Sequence, residues 1–252
     1  MSANGDRLDG SVALVTGGSG AIGGEVAAKL AEQGARVAVH YSSADEAAER
    51  AAARARDAGG EACVVKADLT DEDEVRSLVG ETRERLGAPD VLVHAAGLLR
   101  PQPVQRLTSA DWDAMHMVNL RAAFLLVSAC QQHMLERGFG RIVVLGSVSA
   151  LRGTPAHAGY AAAKAGLTGM VKSVAAEAAP YNVTCNVVAP GYVPAEISSN
   201  GGDRARERIV DATPMRRPGT PCEIAAAVCF LCSHAASYIT GQVLAVDGGL
   251  SM

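Results

Sequence analysis

Short apolar runs alternate with amphipathic stretches along this chain, and glycines punctuate the changes. Val-Ala-Leu-Val-Thr over residues 12–16 is the first run. Gly17-Gly18 follows, and then a helical pattern over 22–32 that Gly34 ends. Further apolar runs at 36–41, 62–66, 91–94, 141–145, 184–189 and 242–246 predict strands. Helical patterns fall between them at 44–58, 72–86, 109–137, from the segment of Tyr160 to about 179, and at 221–233. Ser109 stands at the start of the long pattern as its expected N-cap. The runs are continuously apolar, as in parallel strands buried on both faces. Strands alternating with helices predict βαβ units and a parallel sheet. No repeat or linker divides the pattern, which predicts one α/β domain over 1–252, a doubly wound sheet with helices on both faces. Residues 1–10 are polar and expected to be flexible, and Ser147 is expected to be followed by a loop.

Composition narrows the classes. The 252 residues are 48% hydrophobic with a formal charge of −4, enough for a sizeable core and too acidic for a general nucleic-acid binder. No apolar run of about 20 residues predicts a membrane span. The six cysteines are scattered, mostly in apolar segments, and read as buried thiols in a reducing, cytoplasmic setting. Cys229-x-x-Cys232 lies in a helical apolar run with no second pair, so no metal site is expected.

The chemistry-bearing residues stand where the predicted strands end: Gly17, Tyr41, Asp68, Ala96, Ser147 and Pro190. In open α/β sheets ligands bind beyond those ends. Gly17-Gly18-Ser19-Gly20-Ala21-Ile22-Gly23 follows a strand and opens a helix, the arrangement that offers backbone N–H groups and a helix N-terminus to a pyrophosphate. Tyr160 and Lys164 are four apart and share one helix face. An ammonium beneath a phenol favours the phenolate, whose pKa is otherwise near ~10. Ser147 lies upstream. A dinucleotide site beside a proton-handling tyrosine is the equipment of a carbonyl/alcohol oxidoreductase.

These residues resemble the short-chain dehydrogenase/reductase family, closest in type to its 3-oxoacyl-(acyl-carrier-protein) reductases. The resemblance runs from Val12 to Gly249 and rests on the glycine turn, Asp68-Leu69, Ala95-Ala96-Gly97, Asn119-Leu120, Gly146-Ser147, Tyr160 to Lys164, Pro190-Gly191 and the tail around Asp247-Gly248-Gly249. It implies a Rossmann-type fold and a catalytic set of Asn119, Ser147, Tyr160 and Lys164. Tyr160 would be the general acid, Ser147 would hold the substrate oxygen, Lys164 would lower the pKa of Tyr160, and Asn119 would hold a water. Cofactor contacts are implied at Gly17, Ser19, Gly20, Ala21, Ile22, His40, Tyr41, Ser42, Asp68, Leu69, Ala95, Ala96, Gly97, Tyr160, Lys164, Pro190, Gly191 and Val193. Three departures stand out: Ala21 replaces a glycine, His94 replaces an asparagine, and Ala195 falls where a threonine is common. Leu125 and Tyr181 stand near positions where carrier-protein reductases have arginine.

The cofactor preference is read after the second strand. His40-Tyr41-Ser42-Ser43 contains no carboxylate to accept from a ribose 2′-hydroxyl, which favours NADP, with NAD as the alternative. Residues 193–218 resemble the family's substrate lid and carry Arg204, Arg206, Arg208, Arg216 and Arg217. These could meet an anionic substrate or pair with Glu207 and Asp211. The leading expectation is an NADPH-dependent ketoreductase acting on a small-molecule ketone. The alternatives are an NAD-dependent secondary-alcohol dehydrogenase and a non-catalytic dinucleotide-binding regulator. Apolar residues on more than one face of the 109–137 and Tyr160 helices predict a partner subunit, and the resemblance implies a homotetramer, with a dimer as the fallback.

Overall fold

The computed structural model describes residues 7–194 and 203–252, without the side chains of 203–205. Its strands are β1 (Val12–Thr16), β2 (Arg36–Tyr41), β3 (Ala62–Lys66), β4 (Val91–His94), β5 (Gly140–Leu145), β6 (Val183–Pro190) and β7 (Val243–Val246). They form one sheet in the order β3-β2-β1-β4-β5-β6-β7. Every pairing is parallel. The chain works outward from β1 to β3, then crosses back to β4 beside β1. The switch point therefore lies between the carboxyl ends of β1 and β4.

Alternate residues of each strand feed two cores. Ala13, Val15, Val37, Val39 and Val93 face α1 (Ala21–Glu32), α2 (Asp45–Asp57) and α9 (Pro221–Cys232), through residues such as Val26, Ala52 and Ile224. Val12, Leu14, Leu92, Ile142 and Val144 face α3 (Glu72–Arg85), α5 (Ala122–Arg137) and α7 (Ala158–Ala178), through Leu78, Leu126 and Leu167. The remaining helices are α4 (Ser109–His116), α6 (Val148–Arg152) and α8 (Asp203–Ala212). Asp71 caps α3 by accepting from the N–H groups of Asp73 and Glu74. Thr220 and Glu223 form a reciprocal capping box on α9, with Pro221 in its first turn.

Several local expectations are corrected. Leu8 lies in the stretch expected to be flexible, yet its side chain is in the core and its N–H donates to Gln33 O. One leucine among polar neighbours gave no periodic signal; residues 1–6 lie outside the described residues. Thr108, not Ser109, caps α4, its Oγ1 accepting from the N–H of Asp111. The single helix expected over 109–137 is broken by a π-turn over Met117–Arg121. The loop expected after Ser147 begins with α6. β7 is an edge strand, and Leu244 on it is exposed.

Candidate active site

Two clefts meet at the carboxyl ends of the strands. The first, about 280 Å³, is lined by Gly17, Ser19, Gly20, Ala21, Ile22, His40, Tyr41, Ser42, Asp68, Leu69, Ala95, Ala96 and Gly97, with Gly23, Val118 and Leu145 completing it. The second, about 390 Å³, holds Ser147, Tyr160, Lys164, Pro190, Gly191 and Val193. Ile22, Ala95, Gly97 and Leu145 line both, so the two form one continuous groove across the switch point.

Close backbone approach builds the first cleft. Gly17 has φ +67, and a Cβ on it would lie 2.6 Å from Ala96 Cα. A Cβ on Gly23 would lie 2.2 Å from Gly17 O, so α1 packs against its own entry turn only with glycine there. The N-cap Gly20 offers no side chain, and the first turn of α1 carries no acid. The positive helix end is thus left for an anion from outside, which fits a pyrophosphate. Ala21 is exposed on the wall of the cleft, where the departure adds only a methyl group.

His40 departs from the expected direct cofactor contact. It borders the cleft, but both ring nitrogens serve the protein: Nδ1 accepts from the Gly17 N–H at 3.1 Å, and Nε2 donates to Ala67 O at 3.0 Å. Burial lowers its pKa and keeps the ring neutral. Its place is to hold the glycine turn against the ends of β2 and β3. Asp68 caps nothing; its Oδ1 accepts from the N–H and hydroxyl of Thr70. At the end of β2, burial and the neighbouring Asp45 carboxylate raise the pKa of Tyr41.

Ser147 ends β5 as the N-cap of α6, and its Oγ accepts from the Ser149 N–H at 3.1 Å. That leaves the hydroxyl proton free to donate. Tyr160 lies one turn before Lys164 on α7, with the Lys164 Nζ 5.7 Å from its ring centroid. The expected lowering of the Tyr160 pKa does not occur in the protein alone: burial pushes it up, and the hydrogen bond with Ser147 opposes that only in part. Lys164 is itself buried, its pKa brought down to about 7 by desolvation, and its Nζ donates to Leu145 O at 2.7 Å.

Asn119 lies within the π-turn, fully buried. Its Nδ2 donates to Leu98 O and Met115 O, each at 2.8 Å, and its Oδ1 accepts from the Leu98 N–H at 3.2 Å. The side chain is spent on backbone and ties the broken helix to the loop after β4. His94 is buried, with Nδ1 2.9 Å from Thr16 Oγ1, bridging the ends of β4 and β1. Ala195 lies outside the described residues.

Sequence reasoning missed a polar chain in the second cleft. Thr154 Oγ1 donates to Ser149 Oγ at 3.1 Å, and Ser149 Oγ lies 3.2 Å from His157 Nδ1. The His157 ring meets Tyr160 edge-on at 6.1 Å. Arg152 and Arg208 line the same cleft. The position of His157, three residues before Tyr160, was the available signal.

A sequence profile described as Enoyl-(Acyl carrier protein) reductase matches residues 17–251. An acetoacetyl-CoA reductase of Allochromatium vinosum is 40% identical over 243 residues, covering 96% of this chain and 98% of the relative. A 3-oxoacyl-(acyl-carrier-protein) reductase of Staphylococcus aureus is 37% identical over 240 residues, covering 95% and 98%. Among solved structures, a blue fluorescent protein from a metagenomic library in complex with NADPH superposes with a TM-score of 0.92 at 35% identity, covering 98% of this chain and 100% of that one. With the glycine turn, the serine–tyrosine–lysine cleft and a profile spanning nearly its whole length, the chain belongs to the short-chain dehydrogenase/reductase family, close to the 3-oxoacyl-(acyl-carrier-protein) reductase type.

Proposed function

We propose that the protein reduces a small-molecule ketone to a secondary alcohol, with NADPH held in the glycine-turn cleft. The observation that carries this reading is the meeting of Ser147, Tyr160 and Lys164 in a cleft continuous with that turn. When bound, the reduced nicotinamide supplies the hydride. The protein's part is to place the carbonyl and handle the proton. Ser147, whose Oγ already accepts from Ser149, donates a hydrogen bond from its hydroxyl to the carbonyl oxygen and holds it as charge develops, without giving up the proton. The raised pKa of Tyr160 keeps its phenol protonated at neutral pH, as a general acid requires. Lys164, tethered to Leu145 O, fixes the floor between the clefts and is the residue for the nicotinamide ribose hydroxyls. Asn119 holds the π-turn and the loop after β4 that form the far wall.

NADPH is preferred because the cleft-lining residues at the end of β2, His40, Tyr41 and Ser42, include no carboxylate. NAD is the second reading, favoured by Asp45 and Glu46 in the first turn of α2. A homotetramer in the cytoplasm completes the proposal. The exposed Phe124 and Leu244 support the assembly, and the free cysteines, mostly buried, support a reducing compartment.

The test is Tyr160→Phe, read by cofactor titration and steady-state rates on a ketone panel. Turnover falls by ~10²–10⁴-fold while cofactor affinity stays near wild type. Retention of more than about a tenth of the rate removes Tyr160 from the mechanism.

A further inference from the structure

The second cleft is mostly apolar, with Leu99, Val148, Tyr192, Val193, Ile209 and Leu250 among its walls. Two guanidinium groups stand on it. Arg152, on α6, donates from Nη1 to Leu250 O at 3.0 Å. Arg208, on α8, lines the same cleft from within the segment that resembles the family's lid. Both are exposed, which places them at the rim. No Asp or Glu is among the described residues lining the cleft.

The other lid arginines give the contrast. Arg217 makes two bonds with Glu223, at 2.9 and 2.6 Å. Arg216 lies 3.8 Å from Asp211. Those are the solvated pairs expected of an arginine-rich helix end. Arg152 and Arg208 form no ion pair among the described residues. Two unneutralised cations at the mouth of an apolar cleft focus a positive potential into it. Guanidinium groups also present planar donor forks that match a carboxylate or phosphate.

We propose that Arg152 and Arg208 form an anion-recognition subsite, so that the ketone reduced here carries a negatively charged group. This rests on the ketoreductase reading and adds the substrate class to it. The anion has two chemical sources: a carboxylate on a short oxo acid, or the phosphates of a nucleotide thioester. Carrier docking on the outer helices is a separate matter, since neither the buried Leu125 nor the exposed Tyr181 is basic.

The experiment compares kcat/KM within two substrate pairs, using purified full-length protein with NADPH. One pair is a short 3-oxo acid and its methyl ester; the other is a 3-oxoacyl coenzyme A and the matching N-acetylcysteamine thioester. The charged member of at least one pair is favoured by about tenfold or more, and the pair that shows it identifies the source. Arg208→Ala, which breaks no recorded bond, lowers that charged-to-neutral ratio by about tenfold, and Arg208→Lys restores part of it. Arg152→Ala lowers the same ratio, and added salt reduces it in wild type. Equal or better use of the neutral member in both pairs overturns the subsite, as does a ratio unmoved in both alanine variants. Absence of turnover on every ketone sinks the ketoreductase reading instead. The subsite is then decided by binding of the acid and ester to the protein–NADPH complex, where equal affinities overturn it.

Discussion

The N–H of Gly17 donates to Nδ1 of His40 at 3.1 Å, and the opposite ring nitrogen of His40 donates to Ala67 O. One neutral imidazole thereby ties the glycine turn of β1 to the ends of β2 and β3. The turn is held before any cofactor arrives, and the donors left for the ligand lie further along, at the uncapped start of α1.

His40→Ala leaves the Gly17 N–H and Ala67 O without a buried partner. An unmade buried hydrogen bond costs about 1–3 kcal/mol. Denaturant unfolding registers a loss of that order, and NADPH affinity falls by about tenfold because the turn is no longer fixed. Unchanged affinity at reduced stability would show that the turn holds its shape without the ring.

Cofactor choice is decided one residue further on. Wild type binds NADPH more tightly than NADH in a fluorescence titration, and Tyr41→Asp reverses the order by setting a carboxylate against the 2′-phosphate. NADH binding as well as NADPH in wild type overturns the preference and points to Asp45 as the ribose contact.

The sheet was legible because buried parallel strands are written as unbroken apolar runs, and those runs stop where the structure stops them. The Tyr160–Lys164 spacing was legible because a helix turns at a fixed pitch. The π-turn at Asn119 was not. It depends on bonds to Leu98, which is 21 residues away in sequence, and local periodicity carries no trace of such a partner. His40 was read as a ligand contact because it stands at a strand end, a position that cannot distinguish lining a cleft from bracing it. Leu8 and α6 were missed for lack of length: one apolar residue and one short helix of 5 residues are too brief to show a period.

Acid weakens the fold through His94. Desolvation, followed by the nearby Lys164, brings its pKa down to about 3 from an ordinary 6.5. Above that ordinary value both folded and unfolded chains leave the ring neutral. Between it and about 3 the unfolded chain takes up a proton that the folded chain refuses, so stability falls as pH falls. The loss from this one group between pH ~6.5 and ~5 is about 2 kcal/mol, and His40 adds in the same direction. His94→Asn keeps a polar group for Thr16 but cannot take up the proton. Urea unfolding across that range shows a shallower pH slope for the variant; identical slopes would exclude His94 as the source.

The proposed assembly is supported by two apolar patches that the described residues leave exposed. Phe124 on α5 is 56% exposed, and Leu120 and Met170 nearby are only partly buried. On the other side of the sheet and at its β7 edge, Phe230, Leu244 and Met252 are 42%, 38% and 97% exposed. Isolated exposed apolar residues are ordinary, but two groups on different faces suit two distinct isologous interfaces, and two such interfaces close as a tetramer. Light scattering at micromolar concentration gives a mass near four times 25.8 kDa. Phe124→Glu and Leu244→Glu each open one interface and leave a dimer held by the other, whereas the double variant is monomeric. A monomer mass for wild type refutes the assembly, and a tetramer that survives both charges places its interfaces elsewhere.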